Sequence, residues 1–90
     1  MPQKSHKPTE AQLEEGLQKP LLFLHALQTP DTDAETEKVP RELFACGLSE
    51  GRIKRQLRIF RYYAKNMELS ERMRYISKCK NRLHGAALVS

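Results

Sequence analysis

The segment 52–67, RIKRQLRIFRYYAKNM, limits the fold of this chain most, because its apolar residues recur every three or four positions. On a helical wheel, five of them fall within an arc of about 80°: Ile53, Leu57, Phe60, Ala64 and Met67. A strand would place apolar residues at every second position, and no part of the sequence shows that alternation. The sequence therefore predicts an all-α fold.

The first half of the chain contains clear signals for the start and the interruption of a helix. Thr9 followed by Gln12 matches a capping box at the start of a helical segment spanning 9–28. Pro20 lies inside this segment, where it removes one backbone donor and clashes with the preceding turn. We therefore expect two short helices, or one helix kinked near Lys19.

The second half contains similar signals. Pro40 favours a helix start and Gly47 a helix end, while Ser49 is suited to cap a helix over 50–66. A short helix, a turn with glycine and a basic second helix resemble a helix-turn-helix pair at about 40–66.

A last helix is expected over 71–84, capped by Ser70 and ended by Gly85. Its predicted apolar side consists of Leu69, Met73, Ile76, Cys79 and Leu83. With the other segments, this predicts a small bundle of four to five short helices. Two cysteines without a CxxC pair predict two buried thiols rather than a disulfide.

The chain divides into five parts: a disordered tail (1–8), the helical segment (9–28), an acidic linker (29–38), a basic helical region (39–85) and a second tail (86–90). We expect the two helical parts to pack into one domain. The linker, TPDTDAETEK, has four acidic residues and no large apolar one, which predicts a solvated loop. Two alternatives are that its acids repel polyanions or fold back onto the basic half.

Charge is distributed unevenly along the sequence. Residues 1–45 have five lysines or arginines against eight acids, whereas residues 46–90 have eleven against three, and the net charge is +5. Such a balance suits an acidic partner: nucleic acid, an anionic membrane surface or an acidic protein.

The basic residues also form patterns on the predicted helices. A stripe of four falls within an arc of about 60° on the helix 50–66, a third side of that helix is mixed, and three more recur at four-residue intervals on the last helix. These sets are Lys54, Arg58, Arg61 and Lys65; Arg52, Arg55, Ile59 and Tyr62; and Arg74, Lys78 and Arg82. Like charges four residues apart weaken a helix by a few tenths of a kcal/mol, so this unrelieved repulsion favours a polyanionic partner.

We therefore predict a small, non-enzymatic regulatory protein that binds DNA or RNA, such as a phage or viral regulator. The stripe would contact phosphates, while Arg52, Arg55 and Gln56 could contact base edges. The predicted nucleic-acid-binding residues are Arg52, Lys54, Arg55, Arg58, Arg61, Lys65, Arg74, Lys78 and Arg82, with Ile59 and Tyr62 as stacking or interface residues.

The main alternative is a protein–protein adaptor or inhibitor whose basic and aromatic helix docks on an acidic protein. A homodimer through Ile59 and Tyr62 is also consistent with the sequence. The sequence has no tryptophan, which makes membrane attachment a weaker reading. It shows no catalytic motif, metal-ligand spacing or cofactor motif, and no apolar leader or membrane span, so we expect a cytoplasmic or nuclear protein.

Overall fold

The computed structural model describes residues 7–89, and within this range the chain is all-helical. Its elements are α1 (Glu10–Gln18), α2 (Pro20–Gln28), a 3₁₀ helix (Arg41–Cys46), α3 (Glu50–Lys65) and α4 (Leu69–Val89). They form a small helical bundle, which confirms the predicted fold class. Most of the tail predicted at 1–8 lies outside the described residues, as does Ser90.

The capping box and the break in the first half form as the sequence predicts. Thr9 Oγ1 accepts a hydrogen bond from the Gln12 amide at 3.1 Å, and Gln12 Oε1 accepts one from the Thr9 amide at 2.9 Å. Lys19 separates α1 from α2 and has a non-helical backbone, while Pro20 occupies the first position of α2. That position suits proline because its amide would have no partner within the helix.

The core is organised around Phe23 of α2, which is fully buried. Its ring centroid lies 5.0 Å from that of Phe60 on α3 and 6.2 Å from that of Tyr75 on α4. The helix α2 packs against both α3 and α4, and therefore lies between them. On the α1 side, a Cβ atom added to Gly16 would lie 2.5 Å from the Phe23 ring, so only glycine fits there.

The structure modifies the predicted helix-turn-helix pair. Gly47 has a φ of 83° and ends the first element, and the Ser49 hydroxyl accepts from the Arg52 amide at 3.4 Å, both as predicted. The first element, however, is a six-residue 3₁₀ helix that follows Pro40. A segment that proline and glycine confine to six residues is too short to propagate an α-helix well. The pair therefore departs from a helix-turn-helix, which has two α-helices.

Two predictions about the bounds of the last helix are wrong. Ser70 lies inside α4, which begins at Leu69, and Gly85 does not end it, because the helix continues to Val89. The helix thus includes most of the tail predicted at 86–90. Glycine costs about 1 kcal/mol relative to alanine within a helix, which the surrounding turns can offset.

The buried side of α4 also differs from the predicted apolar side. Cys79 is fully buried, with Tyr75 and Ile76 partly buried beside it, whereas Leu69 and Met73 are 64% and 56% exposed. The reason is that α2 packs against the side of α4 that has Tyr75 and Cys79. The buried arc is therefore rotated relative to the predicted one, away from Leu69 and Met73.

The two cysteines differ in their surroundings. Both are free, but Cys46 is exposed, so the prediction of two buried thiols holds only for Cys79. Burial raises the pKa of the Cys79 thiol to about 11, although the nearby Arg82 charge opposes the shift. This thiol is therefore protonated at neutral pH and packs as an apolar group. Within residues 7–89, no helix is both long enough and apolar enough to cross a bilayer.

Candidate nucleic-acid interface

The solvent-exposed side of α3 joins most of the predicted cationic stripe to the predicted mixed side. We call it the outward face; it spans about 160° of the helical wheel and consists of Arg52, Lys54, Arg55, Arg58, Ile59, Tyr62 and Lys65. All of these side chains are exposed except Lys54, which is partly buried. Five basic side chains are thus presented on one surface.

Arg61 does not belong to this surface, which corrects the prediction of an exposed four-residue stripe. Its residue is only 3% exposed. Its Nε donates to the Thr29 carbonyl at 2.8 Å, its Nη2 donates to Thr29 Oγ1 at 3.0 Å, and its Nη1 lies 2.9 Å from Glu37 Oε1. The last contact is an ion pair without the alignment of a hydrogen bond. On the wheel Arg61 is the member of the stripe nearest to the core arc, about 40° from Leu57, and the linker covers it.

Glu37 connects α2, the linker and α3. Its side chain is 8% exposed, and its Oε2 lies 2.7 Å from Nε2 of His25 on α2. Burial by itself would raise the pKa of Glu37, but the polar contacts and positive charges of Arg61 and His25 outweigh it and hold the pKa below its usual value. Glu37 is therefore an ionised carboxylate that compensates the buried Arg61 charge.

The acidic linker thus folds back onto the basic half, and the prediction of a simple solvated loop is wrong. Glu35 Oε2 lies 2.7 Å from Nη2 of Arg58, in a pair whose side chains are 72% and 59% exposed. Asp31 and Asp33 line an open groove together with Arg58 and Lys65. We call Arg58 and Lys65 the shielded flank of the outward face, because linker acids lie beside both.

A second groove runs along the opposite side of the outward face. It is lined by Lys19, Leu48, Arg52, Arg55, Gln56 and Ile59, and so by no acidic side chain. We call Lys19, Arg52 and Arg55 the open flank. Sequence reasoning missed Lys19, which is distant from α3 in the chain. The one local signal in the sequence is Pro20, which predicts a break in the helix beside Lys19.

The basic residues of α4 are placed differently. Arg74 and Lys78 are exposed, with Lys78 Nζ 5.4 Å from the Tyr75 ring centroid, a cation–π arrangement. Arg82 Nη1 donates to the Leu17 carbonyl in the last turn of α1 at 3.3 Å. None of these three residues lines either groove beside α3. The structure therefore does not join them to the outward face.

Two side chains without charge lie within the outward face. Ile59 is 38% exposed and lines the open groove, and Tyr62 is 49% exposed and lines the groove beside the linker. The neighbouring Tyr63 is 7% exposed, and its ring centroid lies 5.9 Å from that of Phe60. Burial, together with the Glu15 charge, raises the pKa of Tyr63. Only Tyr62 of this pair is therefore accessible to a partner.

Comparison of the chain with profiles of protein families, with curated protein sequences and with solved structures gives no significant match.

Proposed function

We propose that this protein binds nucleic acid, DNA or RNA, through the outward face of α3 and acts as a regulator. The observation that supports this most is the concentration of five basic side chains on one accessible side of a single helix. Within the described residues, two of these basic side chains form ion pairs with acids: Lys54 with Glu50 at 3.7 Å, and Arg58 with Glu35. Both pairs have exposed members, so water and salt screen them strongly.

The chemistry of the outward face suits a phosphodiester backbone. Arginine and lysine release condensed counterions when they contact phosphates, which supplies most of the sequence-independent affinity for nucleic acid. Between them, the accessible ring of Tyr62 can stack on an unpaired base. The side-chain amide of Gln56 can donate to and accept from base edges.

The test is a titration of purified protein against fluorescent duplex DNA, duplex RNA and single strands over a range of salt. We expect binding whose log affinity falls with log salt at a slope of about −0.9 per phosphate contacted on duplex DNA. The variant that replaces Arg52, Arg55, Arg58 and Lys65 with glutamine should lose most of that slope. Loss of salt dependence would follow from the loss of phosphate contacts.

The matched control replaces four exposed basic residues elsewhere, Lys7, Lys38, Arg41 and Lys80, with glutamine. It has the same net charge as the first variant, so it separates a site from a general charge effect. Circular dichroism should show that both variants keep their helicity. Wild-type protein that is folded and binds none of the three nucleic acids at low salt would contradict the proposal.

The second candidate is an adaptor that docks on an acidic protein, and the exposure of Ile59 and Tyr62 favours it. Buried aromatic and apolar anchors usually dominate the energy of protein interfaces. An adaptor would bind its partner in a way that survives nuclease treatment. Replacement of Ile59 and Tyr62 with alanine would abolish that binding, whereas phosphate-based binding depends on the basic residues.

A further inference from the structure

The two grooves beside the outward face have opposite charge environments. In the groove along the shielded flank, Asp31 and Asp33 lie with Arg58 and Lys65, and Glu35 pairs with Arg58. The groove along the open flank has three basic residues and no acid in its lining. A cleft lined by one sign of charge concentrates its field and attracts counter-ions, whereas a mixed lining largely cancels.

The open groove is assembled by the tertiary fold. Lys19 lies at the break between α1 and α2, and Arg52 and Arg55 lie in the first half of α3. All three are exposed. Convergence of three like charges is unfavourable in the free protein, although water and salt screen it. A bound phosphate chain would relieve this repulsion.

The uncharged residues that line the open groove also suit a nucleic acid backbone. Gln56 is partly buried there and Ile59 is partly exposed. The amide of Gln56 can donate to a phosphate oxygen, and Ile59 offers an apolar contact to a sugar. Beside its basic residues, the lining of the groove thus has one neutral amide, Gln56, and two apolar side chains, Leu48 and Ile59.

We propose that the open flank, Lys19, Arg52 and Arg55, is the main phosphate-binding site for the nucleic acid, and that the shielded flank contributes little while the linker is folded back. This inference rests on the function proposed above and deepens it. It assigns a phosphate contact to Lys19, which lies outside the basic helix. The shared ligand chemistry is the phosphodiester, whether of DNA or RNA.

The experiment compares two triple variants of the full chain with equal net charge. The open-flank variant is Lys19→Gln/Arg52→Gln/Arg55→Gln. The shielded variant is Lys54→Gln/Arg58→Gln/Lys65→Gln, whose three residues all lie beside acids: Glu50, Glu35 and the two linker aspartates. Affinity for labelled duplex DNA, duplex RNA and single strands is measured against salt, and helicity is checked by circular dichroism.

For duplex DNA we expect the open-flank variant to flatten the slope of log affinity against log salt by up to about 2.7, at about 0.9 for each lost phosphate contact. The shielded variant should flatten it by less than about 0.9. Lys19→Gln alone should flatten it by about 0.9, the value of one phosphate contact. The nucleic acid with the largest open-flank effect identifies the preferred backbone.

Other outcomes overturn the inference without touching the proposed function. If the shielded variant loses the slope while the open-flank variant keeps it, nucleic acid binds the opposite flank. Equal losses in the two variants would show that the linker does not divide the outward face. If folded wild-type protein binds no nucleic acid, the proposed function fails and the inference fails with it.

Discussion

The α3 residues of the open and shielded flanks lie on one helix and are all basic, yet their surroundings differ. Beside Arg52 and Arg55 the groove lining includes a basic residue from another segment, Lys19, whereas beside Arg58 and Lys65 the linker places acids. A count of lysines and arginines along a helix therefore overstates the charge available to a partner. The path of a ten-residue loop decides which of them are accessible and uncompensated.

The linker forms one buried and one exposed ion pair with α3. We expect the stability of the folded protein to depend mainly on the buried pair. Glu37→Ala leaves the Arg61 charge buried without its carboxylate, which should lower the free energy of unfolding by about 3–5 kcal/mol. Glu35→Ala removes an exposed partner of Arg58 and should cost at most about 1 kcal/mol. Urea unfolding of both variants beside the wild type measures the difference.

The two glutamates are matched in residue type and in loop, so each is the control for the other. If Glu37→Ala does not fold, Glu37→Gln provides a milder change, because its amide keeps a polar oxygen beside the Arg61 guanidinium. Equal, small losses for Glu35→Ala and Glu37→Ala would contradict a buried ion pair as the anchor of the linker.

The second prediction uses pH to test the same anchor. The folded-state pKa of Glu37 lies below the usual value of 4.5, so the stability that its carboxylate contributes is fully present above pH 4.5. It should be lost as the pH falls through the lower folded-state pKa. The difference in unfolding free energy between wild type and Glu37→Gln should therefore shrink as the pH falls below 4.5.

Thermal or urea unfolding at about pH 7 and about pH 3.5 measures this difference, because the first value lies well above the ordinary glutamate pKa of 4.5 and the second about one unit below it. The variant Glu35→Gln is the control, since the Glu35 carboxylate of the wild type is exposed and pairs with Arg58. A difference between wild type and Glu37→Gln that grows as the pH falls would contradict the depressed pKa.

Local signals predicted much of the fold, because caps and breaks act within a few residues. Thr9, Pro20, Gly47 and Ser49 act in the structure as their chemistry predicts. The error in the buried side of α4 came from tertiary packing, because α2 contacts the side that has Tyr75. Gly85 stays helical because nothing in the local sequence requires a left-handed residue there.

The candidate site was less predictable, because it depends on which segments pack beside α3. The wheel placed Arg61 with the exposed stripe, at the end nearest to the core arc, but the linker covers it. The pairing of Glu37 with Arg61 joins residues distant in sequence, as does the groove that Lys19 and Arg52 line together. No local pattern could have predicted either arrangement.

A third prediction concerns the shield itself. The variant Asp31→Asn/Asp33→Asn/Glu35→Gln keeps side-chain acceptors, including the bond from the Glu35 amide to Asp33 Oδ1, but removes three negative charges. It should raise affinity for nucleic acid roughly three- to tenfold at low salt, as expected for screened charges several ångströms away. The salt slope should also steepen by about 0.9 for each phosphate that Arg58 or Lys65 then contacts.

The control for this variant is Glu14→Gln/Glu42→Gln/Glu68→Gln, which removes three exposed acids elsewhere and gives the same net charge. An equal gain in affinity for the control would mean that only net charge matters. A gain without a steeper slope would mean that the linker repels nucleic acid at a distance and does not occupy its contacts.

The smallest expected effect is that of Ile59→Ala, which distinguishes a phosphate groove from a protein-docking groove on the open flank. Ile59 is 38% exposed, and alanine favours the helix, so stability should change by at most about 0.5 kcal/mol. If phosphate contacts by Lys19, Arg52 and Arg55 supply the affinity, the Kd for nucleic acid should change less than about twofold and the salt slope should not change. Isothermal titration at several salt concentrations measures the Kd and the salt slope of Ile59→Ala. Arg52→Gln, which removes a charge from the same groove, is measured beside it.

A loss of affinity of tenfold or more for Ile59→Ala, with a slope equal to that of the wild type, would assign the energy of binding to an apolar anchor. The reason is that hot-spot residues act through burial and not through counterion release. The open flank would then bind an acidic protein surface that has an apolar pocket for Ile59.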